Sequence, residues 1–184
     1  MKAQLVQCNQ PAKECLGPDH DYTAEAKYIE SSHSSVVKKA EELKGSNNRE
    51  TAEKIQRWIH ENLDYSGYLK NERGALYALR NRTGDCTEYM DLFVAMCRAV
   101  KIPARCVAGY VSEGDCVVDP SEYHNWAQYY DGMSWQIADP QRGKSTIDQS
   151  DYIAMRIYGK HKTRPEGFER FEISDSGLRV KMNH

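Results

Sequence analysis

The sequence lacks the cysteine spacing of a structural zinc site. Its 184 residues include six cysteines, but no Cys-x-x-Cys pair occurs among them. Structural zinc sites typically draw closely spaced pairs of ligands from one segment. The spacing therefore does not support a structural metal site, and we predict no cofactor. A catalytic zinc held by Cys86 and His124 stays open at this stage.

Long apolar runs and regions of a single charge are also missing. No segment approaches the roughly 20 apolar residues that a membrane span needs. The formal net charge is −2, from 25 basic and 27 acidic residues that are interspersed along the chain. Such a balance provides no basic surface for nucleic acid or for an acidic membrane. The sequence therefore predicts neither a nucleic-acid partner nor a membrane span.

The N-terminus carries no recognisable signal peptide, because residues 1–8 are too few and too polar. This favours a cytoplasmic protein, but a chain that starts after a removed signal looks the same, so localisation stays unassigned. Cys8 and Cys15 are compatible with a small disulfide or with two thiols in a reducing compartment.

Helical patterns come first along the chain and alternating patterns follow, which predicts an α+β domain with an antiparallel sheet. We predict one domain over 1–184, with an N-terminal arm and helix (1–45), a catalytic core (46–140) and a C-terminal extension (141–184). The predicted helices are 23–44, 49–63, 75–80, 86–101 and 150–158. The predicted strands are 105–111, 123–130, 134–139 and 168–173.

A tight loop, a cysteine and an apolar helix follow one another at residues 81–100. Gly84 permits a bend, and Thr83 or Asp85 can cap the helix that begins near Cys86. The unpaired N–H groups at a helix N-terminus favour negative charge, and with an imidazolium nearby they can lower a thiol pKa below its ordinary value of roughly 8.5. The segment therefore predicts a thiolate at Cys86. The alternative is an inert cysteine that packs as a small hydrophobe.

Asp131 and Gly132 lie between two strand patterns, which is the strongest short-range signal of a two-residue hairpin. Opposed residues in such a hairpin have Cβ atoms roughly 4.5–5.5 Å apart, so a carboxylate opposite a histidine can accept a hydrogen bond from the ring. The alternative is a structural histidine on a half-buried sheet. The predicted register opposes His124 with Asp139, Trp126 with Ile137, and Gln128 with Trp135.

A thiol at a helix start and a His–Asp pair form a constellation for nucleophilic acyl chemistry. His124 would exchange a proton with Cys86 and pass one to a leaving amine, while Asp139 orients the ring. The backbone N–H of Cys86 would help to bind the oxyanion, and Tyr65 or Tyr68 would be the second donor. Trp126 would shield the His–Asp hydrogen bond from water.

Four segments together resemble the transglutaminase-like superfamily of papain-fold cysteine enzymes, over about residues 55–140. They are Gly84-Asp85-Cys86-Thr87-Glu88, Cys97–Arg105, His124-Asn125-Trp126 and Trp135–Pro140. The resemblance implies a Cys–His–Asp triad at Cys86, His124 and Asp139. It also implies a papain-like α+β fold, with the cysteine on a central helix and the other two residues on adjacent strands.

The sequence departs from the family pattern at several points. Lys101 stands where many relatives carry glycine at the end of the helix, so the helix must end in another way. Asn125 replaces a small or β-branched residue, and the predicted register turns it away from the site. No Asp-rich calcium loop of the animal enzymes is present.

The predicted function is attack on an amide carbonyl of a protein or peptide substrate through a thioester acyl-enzyme. The acceptor is either a primary amine, as in a transglutaminase, or water, as in a peptidase or deamidase. The residues of the triad do not choose between them. One alternative is a non-catalytic protein-interaction module that retains the fold, although all three triad positions are intact. Another is a metal-binding protein, for which no ligand spacing fits.

Overall fold

The structure is a computed structural model that describes residues 20–112, 117–144 and 147–159. Four helices precede most of the sheet: α1 (Ser34–Glu42), α2 (Asn48–Asn62), α3 (Ala75–Asn81) and α4 (Cys86–Ala99). Two short strands, β1 (Asp64–Tyr65) and β2 (Thr83–Gly84), pair in parallel as a separate two-stranded sheet. The main sheet has the order β5-β4-β3-β6 with antiparallel neighbours, formed by β3 (Ala104–Val111), β4 (His124–Tyr130), β5 (Trp135–Ala138) and β6 (Tyr152–Ile157).

Helix α4 is the centre of the core. Its residues from Leu92 to Cys97 are fully buried, because α1, α2 and α3 cover its sides and the sheet covers the remaining face. Phe93 meets the sheet through Tyr129, with ring centroids 6.1 Å apart. A helix that is apolar all round is stable only in such surroundings. The predicted α+β class and the buried central helix are confirmed.

The end of α4 shows how the helix stops at Lys101, the position where many relatives carry glycine. This residue adopts a left-handed conformation with φ of 65°. Its N–H donates to the carbonyl of Arg98, and the N–H of Ile102 donates to the carbonyl of Cys97. These two bonds form the Schellman motif that usually ends on glycine. The lysine therefore ends the helix in the conformation that glycine would adopt.

The predicted two-residue hairpin is wrong. Residues 131–134 form a four-residue loop, because the Asp131 carboxylate accepts hydrogen bonds from the N–H groups of Met133 and Ser134 at 2.8 and 2.9 Å. The loop moves the register by two residues, so that Tyr130 pairs with Trp135 and Gln128 with Ile137. A shift of two keeps every side chain on its predicted face. The predicted cross-strand pairing of His124 with Asp139 is lost, since Asp139 follows β5.

Two predicted helices are also wrong. Residues 150–158 were expected to be helical but form β6, which pairs with β3 along the edge of the sheet. The helix predicted over 23–44 is restricted to α1, because residues 24–33 follow an irregular path that includes a left-handed Tyr28. The carbonyl of Tyr28 accepts the N–H of Ala75 at 2.8 Å, which ties this segment to the start of α3.

Several expectations lie outside the described residues: most of the irregular arm, the Cys8–Cys15 pair, the turn at 112–115 beyond its first residue, and the strand at 168–173. The division into arm, core and extension stays a prediction. Within the described ranges, none of the helices has the length and apolar character needed to cross a membrane.

Candidate active site

Cys86 is the first residue of α4 and is half-buried. Asp85 caps the helix by accepting the N–H of Thr87 at 2.8 Å, and Glu88 accepts the N–H of Asp85 at 3.1 Å. This reciprocal pair is a capping box, and it fixes the backbone on both sides of the sulfur. Glycine is required at position 84 because the backbone there passes close to the Glu88 side chain. A Cβ atom on residue 84 would lie 2.4 Å from the Cβ of Glu88.

The same two carboxylates hold the segment before α3 beside Cys86. Residues 66–73, here called the tethered loop, donate two backbone hydrogen bonds to them. The N–H of Leu69 binds Asp85 at 2.9 Å, and the N–H of Arg73 binds Glu88 at 2.8 Å. Glu88 is fully buried, and burial together with the Asp85 carboxylate raises its pKa. The helix cap and the adjoining loop are therefore one hydrogen-bonded unit.

His124 and Asp139 are in contact despite the shifted register. The distance from His124 Nε2 to Asp139 Oδ2 is 2.7 Å. Asp139 is fully buried, and its carboxylate has two further donors: the Tyr152 hydroxyl at 3.0 Å and the N–H of Arg142 at 3.2 Å. A buried carboxylate is stable when it is hydrogen-bonded in this way. The ring of His124 is thus held from its Nε2 side.

The charge state of His124 is set by Asp139 and Cys86. Burial alone would lower the pKa of the imidazole, but the Asp139 carboxylate and the Cys86 sulfur raise it to about 9. Because Asp139 binds Nε2, the ring nitrogen left for the sulfur is Nδ1. A carboxylate on one side and a sulfur on the other favour the protonated ring. The surroundings of His124 therefore favour the imidazolium.

Trp126 covers one face of the His124 ring. The two rings are stacked with centroids 6.3 Å apart, and Tyr152 meets Trp126 edge-on at 5.1 Å. Trp126 is fully buried. The close packing needs Gly109, where a Cβ atom would lie 2.9 Å from Cη2 of Trp126 and 2.0 Å from the carbonyl oxygen of Ile153.

Asn125 was expected to face away from the site, and this expectation is wrong. Its Nδ2 lies 3.5 Å from Cys86 Sγ and 2.9 Å from Thr87 Oγ1. The reason is the position of α4, which covers the face of β4 that carries Asn125, Ala127 and Tyr129. The start of α4 therefore lies opposite Asn125.

Tyr65 and Tyr68 differ in their relation to Cys86. Tyr65 pairs with Gly84 in the short parallel strands, and its pKa is raised by partial burial and by the charges of Cys86 and Asp85. Tyr68 lies in the tethered loop, and the two side chains are similarly exposed, Tyr65 to 56% and Tyr68 to 61%. Tyr65 differs in that the charge of Cys86 contributes to its raised pKa.

Sequence reasoning missed Tyr152 and misplaced Asn125. Tyr152 carried no usable signal, because it belongs to a segment whose composition favours helix and whose strand partner is distant in sequence. Asn125 is next to a predicted site residue, and only the position of α4 over the sheet shows which way it points. Among the residues that the structure describes, no group of three or more His, Cys, Asp or Glu side chains could hold a metal ion.

Comparisons with known proteins agree with this architecture. A proposed cysteine protease from Cytophaga hutchinsonii has a TM-score of 0.64 at 26% identity, over 76% of this chain and 46% of that one. The periplasmic domain of TgpA from Pseudomonas aeruginosa has a TM-score of 0.50 at 22% identity, over 66% of this chain and 46% of that one, and shows likeness of fold alone. The chain thus spans about half the length of these structures.

No curated protein matches the sequence at a significant level. The model of one family does match, over residues 37–140, which is more than half of the chain and includes Cys86, His124 and Asp139. The resemblance that the four sequence segments indicated is therefore confirmed. The chain belongs to the transglutaminase-like superfamily.

Proposed function

We propose that the protein is a cysteine-dependent acyl-transfer enzyme that attacks amide carbonyls of peptide or protein substrates. The proposal is carried by one arrangement: Cys86, at the start of α4, interacts with His124, and the His124 ring lies 2.7 Å from the buried Asp139. Membership of the superfamily and likeness to a proposed cysteine protease both support cysteine chemistry. Cys86 is the nucleophile, His124 the acid and base, and Asp139 the residue that orients His124.

The first half of the reaction forms a thioester. The Cys86 thiolate attacks the carbonyl carbon, and the carbonyl oxygen becomes an oxyanion. The imidazolium of His124 then gives its proton to the leaving nitrogen as the C–N bond breaks. The raised pKa of His124, about 9, keeps this proton available at neutral pH.

The second half of the reaction returns the enzyme to its starting state. Water or a primary amine attacks the thioester and transfers a proton to His124, and the C–S bond breaks to restore the thiolate. Water yields a carboxylic acid, whereas an amine yields a new amide. The acceptor is decided by which molecule reaches the thioester, and therefore by the surface around the sulfur.

We propose two groups that bind the oxyanion. One is the backbone N–H of Cys86, which belongs to the first turn of α4, where N–H groups have no partner within the helix. The other is the Tyr65 hydroxyl, whose pKa is raised by partial burial and by the charge of Cys86. Loss of one oxyanion donor typically lowers kcat by roughly 10²–10³. Tyr65→Phe should therefore lower kcat by about that factor and leave KM little changed, and an unchanged kcat would exclude the tyrosine as a donor.

A product screen tests the proposed function. The protein is incubated with a peptide library and a primary amine, and the peptides are then weighed by mass spectrometry. A cleaved peptide indicates peptidase action, conversion of a side-chain amide to an acid indicates deamidation, and an amine adduct indicates transfer. Cys86→Ala should make none of these products while keeping the fold. Products from Cys86→Ala, or none from the wild type, would overturn the proposal, and the second result would favour a non-catalytic interaction module.

A further inference from the structure

Asn125 approaches the sulfur of Cys86 from β4, and no part of the catalytic scheme above uses it. The amide nitrogen lies 3.5 Å from Sγ and 2.9 Å from Thr87 Oγ1. Both distances allow hydrogen bonds, since contacts to sulfur are longer than contacts to oxygen. The side chain is half-buried in the contact between α4 and the sheet.

We propose that Asn125 is a further catalytic residue, whose side-chain amide donates an N–H···S hydrogen bond that stabilises the Cys86 thiolate. An asparagine NH₂ group carries two donors. One can bind the hydroxyl of Thr87, and that bond directs the other to the sulfur. Thr87 is the positioning residue in this arrangement, because it acts on the sulfur only through Asn125. The proposal rests on the proposed function, since it assigns a role at the same sulfur.

The contact differs in kind from the one made by His124. The imidazole stabilises the thiolate only while it is protonated, and it loses that charge when it donates its proton to the leaving group. The amide is neutral and keeps its donor throughout the reaction. Hydrogen bonds to an ionised partner are roughly twice as strong as those between neutral groups. Asn125 therefore favours the thiolate over the thiol in every state of His124.

An apolar side chain at position 125, such as alanine or valine, could not make this bond, because it has no hydrogen-bond donor. The sulfur would then keep its contact with His124 but lose the neutral donor from the next residue of β4. The departure at Asn125 thus adds a polar contact to the reacting atom itself.

The test is the pH dependence of Cys86 alkylation by iodoacetamide, followed site by site with peptide mass spectrometry. This measurement reports the thiolate whether or not the protein turns over a peptide. Asn125→Leu keeps the approximate shape of the side chain and should raise the midpoint of Cys86 alkylation by about one pH unit. At any pH below the midpoints of the wild type and the variant, this shift corresponds to a tenfold smaller fraction of thiolate. Asn62→Leu is the matched control, because its amide binds the carbonyl of Trp58 on the surface of α2, and it should leave the midpoint unchanged.

Further variants keep the proposal falsifiable if Asn125→Leu fails to fold. Asn125→Ala should shift the midpoint in the same direction, and Thr87→Val should shift it less. Thr87→Ser should restore the wild-type midpoint, because it retains the hydroxyl. The shift from Asn125→Leu should also persist when His124 is replaced by alanine, since the amide acts on the sulfur directly.

An unchanged midpoint in folded Asn125→Leu and Asn125→Ala would show that the asparagine only joins β4 to α4, and would overturn the proposal. A lowered midpoint would overturn it too, because the amide would then present its oxygen to a thiol. A raised midpoint in a protein that makes no product in the peptide screen would support the assigned contact while the proposed function fails.

Discussion

Cys86 and Cys97 lie on the same helix in opposite surroundings. Cys97 is fully buried among apolar side chains, and burial raises its pKa. Cys86 is half-buried at the first position of α4, beside His124 and Asn125. Thiol reactivity follows the thiolate fraction and access to the sulfur. Both conditions favour reaction at Cys86 and disfavour reaction at Cys97. The two thiols should therefore differ strongly in their rates of reaction with electrophiles.

Asp139→Asn tests the control of His124 by its carboxylate. The Asp139 carboxylate and the Cys86 sulfur together raise the pKa of His124 to about 9. Loss of the carboxylate should therefore lower that pKa toward the ordinary value of roughly 6.5. The imidazolium that protonates the leaving amine exists only below this pKa. The alkaline limb of kcat/KM against pH should therefore move down from about pH 9, and kcat should fall by roughly 10²–10⁴-fold. The measurement uses a peptide identified by the product screen, and an unmoved limb would contradict the role of Asp139.

Lys101→Gly should stabilise the fold. A non-glycine residue in the left-handed region destabilises the fold by about 1–2 kcal/mol, and glycine avoids this strain. Glycine also makes the unfolded chain more flexible, which offsets about 0.5–1 kcal/mol of the gain. We therefore expect the free energy of unfolding in urea to rise by about 0.5–1 kcal/mol. Lys38→Gly, in the middle of α1, should lower it by about 1 kcal/mol, because glycine is a poor helix former. Equal losses in both variants would show that Lys101 is unstrained.

The site residues were predictable from sequence to different degrees. The position of Cys86 at the start of α4 was predictable because helix caps and buried helices leave local patterns. The predicted contact between His124 and Asp139 is present although the predicted register is wrong. A shift of two residues leaves both side chains on the face of the sheet that was predicted for them. Asn125 was misplaced because alternation along a strand does not say which face an incoming helix covers. Tyr152 was missed because its strand pairs with a distant part of the chain.

At the scale of elements, the capping box of α4 also anchors the tethered loop. Asp85 and Glu88 each accept a backbone N–H from that loop, at 2.9 and 2.8 Å. The backbone next to Cys86 is therefore fixed from two sides. An arrangement held in this way would need little reorganisation during the proposed reaction, which is the general advantage of a rigid site.

Glu88→Ala should loosen this unit. It removes the acceptor of two backbone N–H groups, those of Asp85 and Arg73, and each buried donor left unpaired costs about 1–3 kcal/mol. We expect a loss of about 2–6 kcal/mol in the free energy of unfolding by urea. Glu88→Gln should lose about half as much, because its carbonyl oxygen replaces one of the two acceptors.

The control for this series is Glu53→Ala, which removes an exposed ion pair with Arg49 on α2. Exposed pairs of this spacing are worth about 0.3–0.5 kcal/mol, so the variant should be close to wild type. If Glu88→Ala is no less stable than Glu53→Ala, the tethered loop does not depend on the cap.

The elements that sequence patterns failed to predict are those decided by tertiary contacts. The segment of β6 contains good helix formers, but it adds backbone hydrogen bonds along the open edge of β3. In the hairpin, the side chain of Asp131 satisfies two N–H groups and lengthens the loop. Helices α2, α3 and α4 were predicted closely, because each has a strong local pattern and a clear start.

At the scale of the whole molecule, the site is assembled from segments far apart in the chain. Cys86 comes from the helical half, His124 from β4, Asp139 from the position after β5, and Tyr152 from the edge strand. The family match covers residues 37–140 and ends before Tyr152. The edge strand, which lies outside the matched range, supplies a hydroxyl that binds the Asp139 carboxylate behind His124.

The most direct test of the central claim is acylation of the protein by p-nitrophenyl acetate, an activated ester that needs no particular peptide sequence. Intact mass and peptide mapping after acid quenching should show one acetyl group on Cys86 and none on Cys97, with release of p-nitrophenolate in a burst. Cys86→Ala should lose the burst, and His124→Ala should form the adduct far more slowly at neutral pH. Acetylation of Cys86 no faster than that of Cys97, or an unchanged burst in His124→Ala, would contradict the account.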